Sequence, residues 1–147
     1  QMLLNAVNIP ETQENQVIKL FGNLIDRGAG PDYESAKQAL AGTYTDSSGK
    51  IINISPYISY LGTHKDDPVV IIEQLKKGIP LVMATHRHGR VCVGVDYDTD
   101  GVNYQITHLR LLNPLNPKGI ETFTMAQYTA KSFENGGLMG FMTLIMK

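Results

Sequence analysis

The sequence predicts an α+β protein, and two observations carry that expectation. Apolar residues recur at helical spacing through much of the first half, whereas the second half alternates with the period of strands. In addition, Asp100-Gly101 sits between two strand-like runs, which joins sequence neighbours as an antiparallel hairpin. Helices first and antiparallel strands later give helices segregated to one side of a sheet.

In chain order, "QMLLNAV" reads as the end of a helix, with Met2, Leu3, Ala6 and Val7 apolar. A helix beginning there has no N-cap for its first N–H groups. The chain is therefore expected to be truncated at the N-terminus, with residues preceding Gln1. After Pro10, "ETQENQVIKLFGNLI" places Val17, Leu20, Phe21 and Leu24 on one helical face behind Thr12 as N-cap. "DRGAGPD" is a loop, and Pro31 opens the helix "DYESAKQALAG", which Gly42 stops. "YTDSSGKIINISPYISYLG" reads as a long connection with one short strand near Lys50 to Ile54. "DDPVVIIEQLKKGIP" is a helix with acidic residues and Pro68 at its start, Lys76 and Lys77 at its end, and Gly78 as terminator.

Residues 80–85, "PLVMAT", form an apolar strand, and the Asp-Gly hairpin follows. Met125 to Phe133 fits either a helix or an edge segment, and "LMGFMTLIMK" is a closing strand whose Met139, Met142 and Met146 fill the core. The whole is one domain over residues 1–147, mainly helical in 1–79 and mainly β in 80–147.

Composition narrows the function. With 147 residues, 42% hydrophobic, 18% charged and net charge -1, the chain has the makings of a real core and no electrostatic bias toward nucleic acid or an anionic membrane surface. Its apolar runs fall short of the roughly 20 residues of a membrane span. The single cysteine, Cys92, excludes an intrachain disulfide framework and a multi-cysteine zinc cage.

The hairpin supplies the candidate site. A two-residue turn at Asp100-Gly101 pairs Thr99 with Val102, and the ladder then sets Asp96 against Gln105, Cys92 against Leu109 and His88 against Asn113. Directly opposed residues share a face, with Cβ atoms ~4.5–5.5 Å apart. A carboxamide oxygen that accepts the Nδ1–H of an imidazole fixes its tautomer and leaves Nε2 as a base. Such a pair orients a catalytic histidine or simply satisfies two polar groups.

At this point the pattern is familiar. "IIEQLKKGIPLVMATHRHGRVCVGVDYD" and "ITHLRLLNPLNP" resemble the second half of bacterial papain-like cysteine peptidases, the group containing bacteriocin-processing and plant-avirulence-effector proteases. The pattern is a helix ending L-x-x-G-x-P (Leu75, Gly78, Pro80), a histidine leading an apolar strand to G-x-D (His88, Val91, Val93, Gly94, Asp96), and a strand ending Asn113-Pro114. "QMLLNAV" is similar to the tail of the family's nucleophile helix, C-W-A-A-x-x-Q-M-x-L-N, and "TQENQVIKLFG" to the helix after it. Residues 26–66 carry no family signature. The resemblance implies an α+β, papain-like fold, with N-terminal helices packed against a C-terminal antiparallel half-barrel sheet. It implies that His88 is the catalytic base and acid and Asn113 its orienting partner. It further implies a nucleophilic cysteine upstream of residue 1, in the same polypeptide or on a companion fragment, a peptide or protein substrate, and no cofactor. Proteins of this group can be secreted or delivered. The alternatives are an inactive papain-like binding or regulatory module, and an amidase or transglutaminase-like acyl transferase using the same machinery.

Cys92 lies four residues from His88, about 13 Å along a strand, and "VCVGV" reads as buried apolar context. His86 and His88 share a face but lack a third metal ligand, and His108, set against Val93, faces the other way. Arg87 and Arg90 fit a solvated face better than a substrate carboxylate. His64 is a passive loop residue, and the carboxylates of "DYDTD" are explained by the turn.

Overall fold

The computed structural model describes residues 4, 7–10, 33–60, 67–85, 88–113, 119–127 and 140–147; the side chains at 33–36, 60, 84, 85 and 88 lie outside that description. The helix expected over 11–25 lies outside the described residues, as do His64, His86, Arg87, Pro114, Met139 and most of Met125–Phe133.

The described elements are α1 (Tyr33–Leu40), β1 (Gly42–Thr45), β2 (Ile51–Tyr60), α2 (Asp67–Lys76), β3 (Leu81–Thr85), β4 (His88–Thr99), β5 (Tyr104–Leu112), β6 (Ile120–Thr124) and β7 (Gly140–Met146). The protein is α+β, with a seven-stranded antiparallel sheet in the order β1-β2-β7-β3-β4-β5-β6. Two compact units divide the chain, one of residues Gln1–Ile58 with Leu144–Lys147, the other of Ser59–Thr143.

In the first unit α1 is found where the sequence predicts it, and the segment after it is a correction. The stretch expected over residues 44–62 to be a long connection with one short strand is, in its described part, something else. Gly42–Thr45 and Ile51–Tyr60 are antiparallel partners, with Thr45 opposite Ile51 and Gly42 opposite Ile54. The turn is closed by Asp46, whose Oδ1 accepts from the Ser48 and Lys50 amides at 2.8 and 2.9 Å and from the Ser48 hydroxyl at 2.6 Å. Pro56, which brings no N–H to a ladder, hid the length of β2. The Tyr44 hydroxyl donates toward the carbonyls of Ala39 and Leu40, the last residues of α1.

The second unit holds the candidate site. Helix α2 begins at Asp67-Pro68 and ends as the sequence predicts. Gly78 adopts φ 73°, its N–H bonds the Leu75 carbonyl at 2.9 Å, and Ile79 N–H bonds that of Gln74 at 3.3 Å. That pair of bonds satisfies the last carbonyls and turns the chain into β3. Ile71 and Ile72 of α2 join Leu81, Met83, Cys92, Ile106, Leu109, Leu111 and Phe141 in one buried cluster. Phe141 and Met142 of the closing strand are buried, Met142 on the opposite face from Phe141.

The β4–β5 register departs from the expected one. Asp100 and Gly101 do not form a two-residue turn. The loop runs over residues 100–103, and Thr99 pairs with Tyr104. The Asp100 carboxylate accepts the N–H groups of Val102 and Asn103 at 2.9 and 2.6 Å and the Asn103 side-chain amide at 2.8 Å, which opens the turn by two residues. Two β-bulges follow. Thr107 is the extra residue between the Asp96–His108 and Tyr97–Ile106 pairs, and Val93 the extra one between Cys92–Leu111 and Gly94–Arg110. They have a packing reason. Ile106 and Leu109 are three apart and both in the core, and so are Cys92 and Val95, with Val95 partly buried against it. Strict alternation would turn one of each pair to the other face.

The two bulges lie on opposite strands, so the register is off by two residues at both ends of the ladder and by three between the bulges. An even shift preserves faces, where a shift of one would invert them. Cys92 pairs with Leu111 rather than Leu109, and His108 with Asp96 rather than Val93.

Candidate functional site

The site forms where β4 starts, β5 ends and β6 begins. The backbone of His88 is the first residue of β4, opposite Thr85 of β3. Its side chain lies outside the described part. The last β4–β5 pair is Val91 with Leu112. Continued by one pair, that register sets Asn113 against Arg90, not against His88. The expected direct opposition of His88 and Asn113 is thus corrected to a diagonal one, a spacing of ~7–8 Å between strands.

Arg90 is the second correction. It does not belong to a solvated face. Its side chain is 12% exposed, its Nε donates to Glu121 Oε2 at 3.3 Å, and its guanidinium carbon lies 5.7 Å from the centre of the Phe123 ring. A guanidinium over an aromatic face gains from the ring quadrupole, and more so when desolvated. Glu121 sits opposite Leu111 in the β5–β6 ladder, and so on the face that also carries Cys92 and Leu81. Its side chain is 25% exposed. A carboxylate on the apolar face of a strand is costly unless paired, and Glu121 is paired. Besides Arg90 it accepts from Asn113 Nδ2, at 3.2 Å to Oε1 and 3.4 Å to Oε2.

The structure therefore gathers Arg90, Asn113, Glu121 and Phe123 into one cluster on the face of Cys92. Glu121 was not singled out in the sequence. Its signal is the pattern of "IETFT", in which Glu121 and Phe123 share a face by period two, so that a carboxylate stands where an apolar residue is expected.

Cys92 is buried, with 0% of its surface exposed. Burial pushes its thiol up to about 11, against the lowering effects of its bond to the Gly94 carbonyl and of the Arg110 charge. At neutral pH it is a thiol, packed as an apolar residue, as the sequence predicts. On the other face, Arg110 pairs with Asp96, beside His108, whose Nδ1 is 3.2 Å from Thr107 Oγ1.

Among the described residues no group of three or more His, Cys, Asp or Glu side chains is arranged to hold a metal ion, and no helix is long and apolar enough to cross a membrane. Comparison with protein-family models, with curated proteins and with solved structures finds no match to this chain.

Proposed function

We propose that this chain carries the histidine–asparagine part of a papain-like domain, in which N-terminal helices pack on an antiparallel half-barrel sheet. More narrowly, we read it as a cysteine peptidase of the bacteriocin-processing and avirulence-effector type. The observation that carries this reading is the fixed carboxamide of Asn113. It stands at the exit of β5, one diagonal step from position 88 at the entry of β4, with its Nδ2 turned toward Glu121.

In this mechanism Asn113 Oδ1 accepts the Nδ1–H of His88. The nucleophile is a cysteine on a segment preceding residue 1, held as a thiolate by the imidazolium of His88. Its sulfur attacks the peptide carbonyl, and His88 gives its proton to the leaving amine. Neutral His88 then takes a proton from water, the hydroxide attacks the thioester, and the carboxylic acid leaves as the thiolate returns. Cys92 takes no part, since it is buried and protonated. A catalytically inactive binding module is the second reading, and it is favoured by the same burial of the chain's single cysteine.

The test combines intact mass and N-terminal sequencing of the natural protein with labelling by a thiol-reactive peptide electrophile. The peptidase reading expects one labelled cysteine upstream of residue 1, with labelling lost in His88→Ala. A natural protein with no labelled cysteine and no companion fragment leaves the binding module.

A further inference from the structure

We infer that the Arg90 guanidinium is a binding site for a ligand carboxylate, received by its two terminal nitrogens. The site is independent of the peptidase reading, because Arg90 and the groups that hold it belong to the sheet whether the chain is an enzyme or a binding module.

Arg90 stands on the core face of β4, two residues before Cys92 and directly opposite Met83 of β3, which is fully buried. A guanidinium carries N–H groups on Nε, Nη1 and Nη2 and has no acceptor. The Nε–H of Arg90 goes to Glu121 Oε2 at 3.3 Å. Among the described residues, nothing accepts from Nη1 or Nη2. Buried donors are nearly always bonded, so an open fork on a side chain this far withdrawn from water points to a ligand. Arg110 is the contrast. It pairs with Asp96 and is 41% exposed, so bulk solvent serves its other N–H groups. The Arg90 side chain, at 12% exposure, can be reached from outside but is poorly served by solvent.

The fork is also held still. Glu121 anchors it at Nε, and the guanidinium carbon lies 5.7 Å from the centre of the Phe123 ring. A side chain already fixed in this way loses little freedom when a ligand arrives. The contact with Glu121 uses Nε and not the terminal pair, so the end of the fork stays available.

Geometry and charge select the ligand. The outward N–H groups of Nη1 and Nη2 run parallel and match the two oxygens of a carboxylate, in a charge-assisted bidentate contact. A neutral amide offers one oxygen and no charge. A phosphate dianion also fits the fork, but the Glu121 carboxylate bonded to the same guanidinium repels it more strongly than it repels a monoanion. An aspartate or glutamate side chain and a peptide C-terminus present the same carboxylate chemistry.

The experiment follows the arginine Nε–H and Nη–H signals of the full chain by nitrogen-resolved NMR during titration with four probes. These are a short peptide with one glutamate and both ends blocked, a peptide with no acidic residue and a free C-terminus, a blocked peptide with glutamine in place of the glutamate, and inorganic phosphate. The expected result is a saturable shift of the Arg90 signals with the first or second peptide, whichever of the two it is naming the source of the carboxylate. The glutamine peptide and phosphate should bind more weakly. Arg90→Lys keeps the charge beside Glu121 and removes the fork, and should weaken carboxylate binding roughly tenfold or more. Arg110→Gln should leave it unchanged. The inference is overturned if neither carboxylate peptide gives a saturable shift, if the glutamine peptide or phosphate binds as tightly as the carboxylate, or if folded Arg90→Lys binds as the native protein does. Should Arg90→Lys not fold, the native titration decides: saturation at Arg90 supports the site, and saturation at Arg110 with Arg90 unmoved overturns it.

Discussion

At its tip, the β4–β5 hairpin is held by Asp100, which bonds residues two and three positions along the chain in full solvent. At its open end it is held by Glu121, whose partners Asn113 and Arg90 lie 8 and 31 residues away and are half withdrawn from water. The same strands thus carry two kinds of polar organisation. The tip bonds are local and form as the turn forms. The open-end bonds exist only after three strands have paired, and they desolvate a charge in doing so. Organisation of the second kind is what a preorganised site needs, since its groups are fixed before any ligand arrives.

The largest effect is expected at the open end. Arg90→Ala removes the cation from a half-buried carboxylate and the stack over Phe123. It should cost roughly 2–4 kcal/mol, below the full value for a buried pair because both side chains keep some exposure. Arg90→Met/Glu121→Met should cost less than Arg90→Ala, because no charge is left without its counterion. Urea denaturation of the three proteins measures this. A loss under about 1 kcal/mol for Arg90→Ala would mean that this end behaves as an ordinary surface pair, and the contrast with the tip would collapse.

A smaller effect is expected at the tip from Gly101→Ala. Gly101 has φ 91°, and an added Cβ would meet nothing within 4 Å. The cost is therefore backbone conformation alone, about 1–2 kcal/mol. It should be additive with Arg90→Ala, since the two ends share no partner. Non-additivity in the same urea titrations would show that the turn and the polar cluster are coupled through the strands.

The contrast also explains what the sequence could and could not reveal. Asp100-Gly101 announced a hairpin because its information is local. Its width was misjudged because the reach of the Asp100 carboxylate to two further amides is not visible in the dipeptide. Residues 89–92 and 108–113 kept their expected shared faces, because the turn added two residues and the bulges at Val93 and Thr107 cancelled in register, whereas each bulge switched the faces of 94–99 and of 104–106. The buried character of Cys92 was legible from its apolar neighbours. Pro56 and the polar run before Ile51 obscured the β1–β2 hairpin. Arg90 was misplaced for a different reason. Alternation assigns it to the face of Cys92, yet only the pairing of Leu111 with Glu121 supplies the anion that lets a guanidinium stay there. A counterion contributed by a strand that is distant in sequence has no local signature.

The smallest effect is a pH dependence that belongs to the tip alone. The N–H of Asn103, then its side-chain amide and the N–H of Val102, hold the Asp100 carboxyl down at about 2, from an ordinary value of 3.8. The folded value lies below the unfolded one, so the unfolded chain binds the proton first as pH falls. The contribution of Asp100 to stability is then fully present above about pH 4, declines between about 4 and 2, and is absent below. Asp100→Asn keeps an acceptor oxygen for the turn and removes the titration. The native protein should lose stability more steeply than Asp100→Asn across that window, and the two curves should run parallel above about pH 5. Denaturation midpoints taken from pH 6 to 2 provide the comparison. Equal slopes in the acid window would mean that the unfolded chain retains the Asp100 turn, so that its bonds do not distinguish the two states.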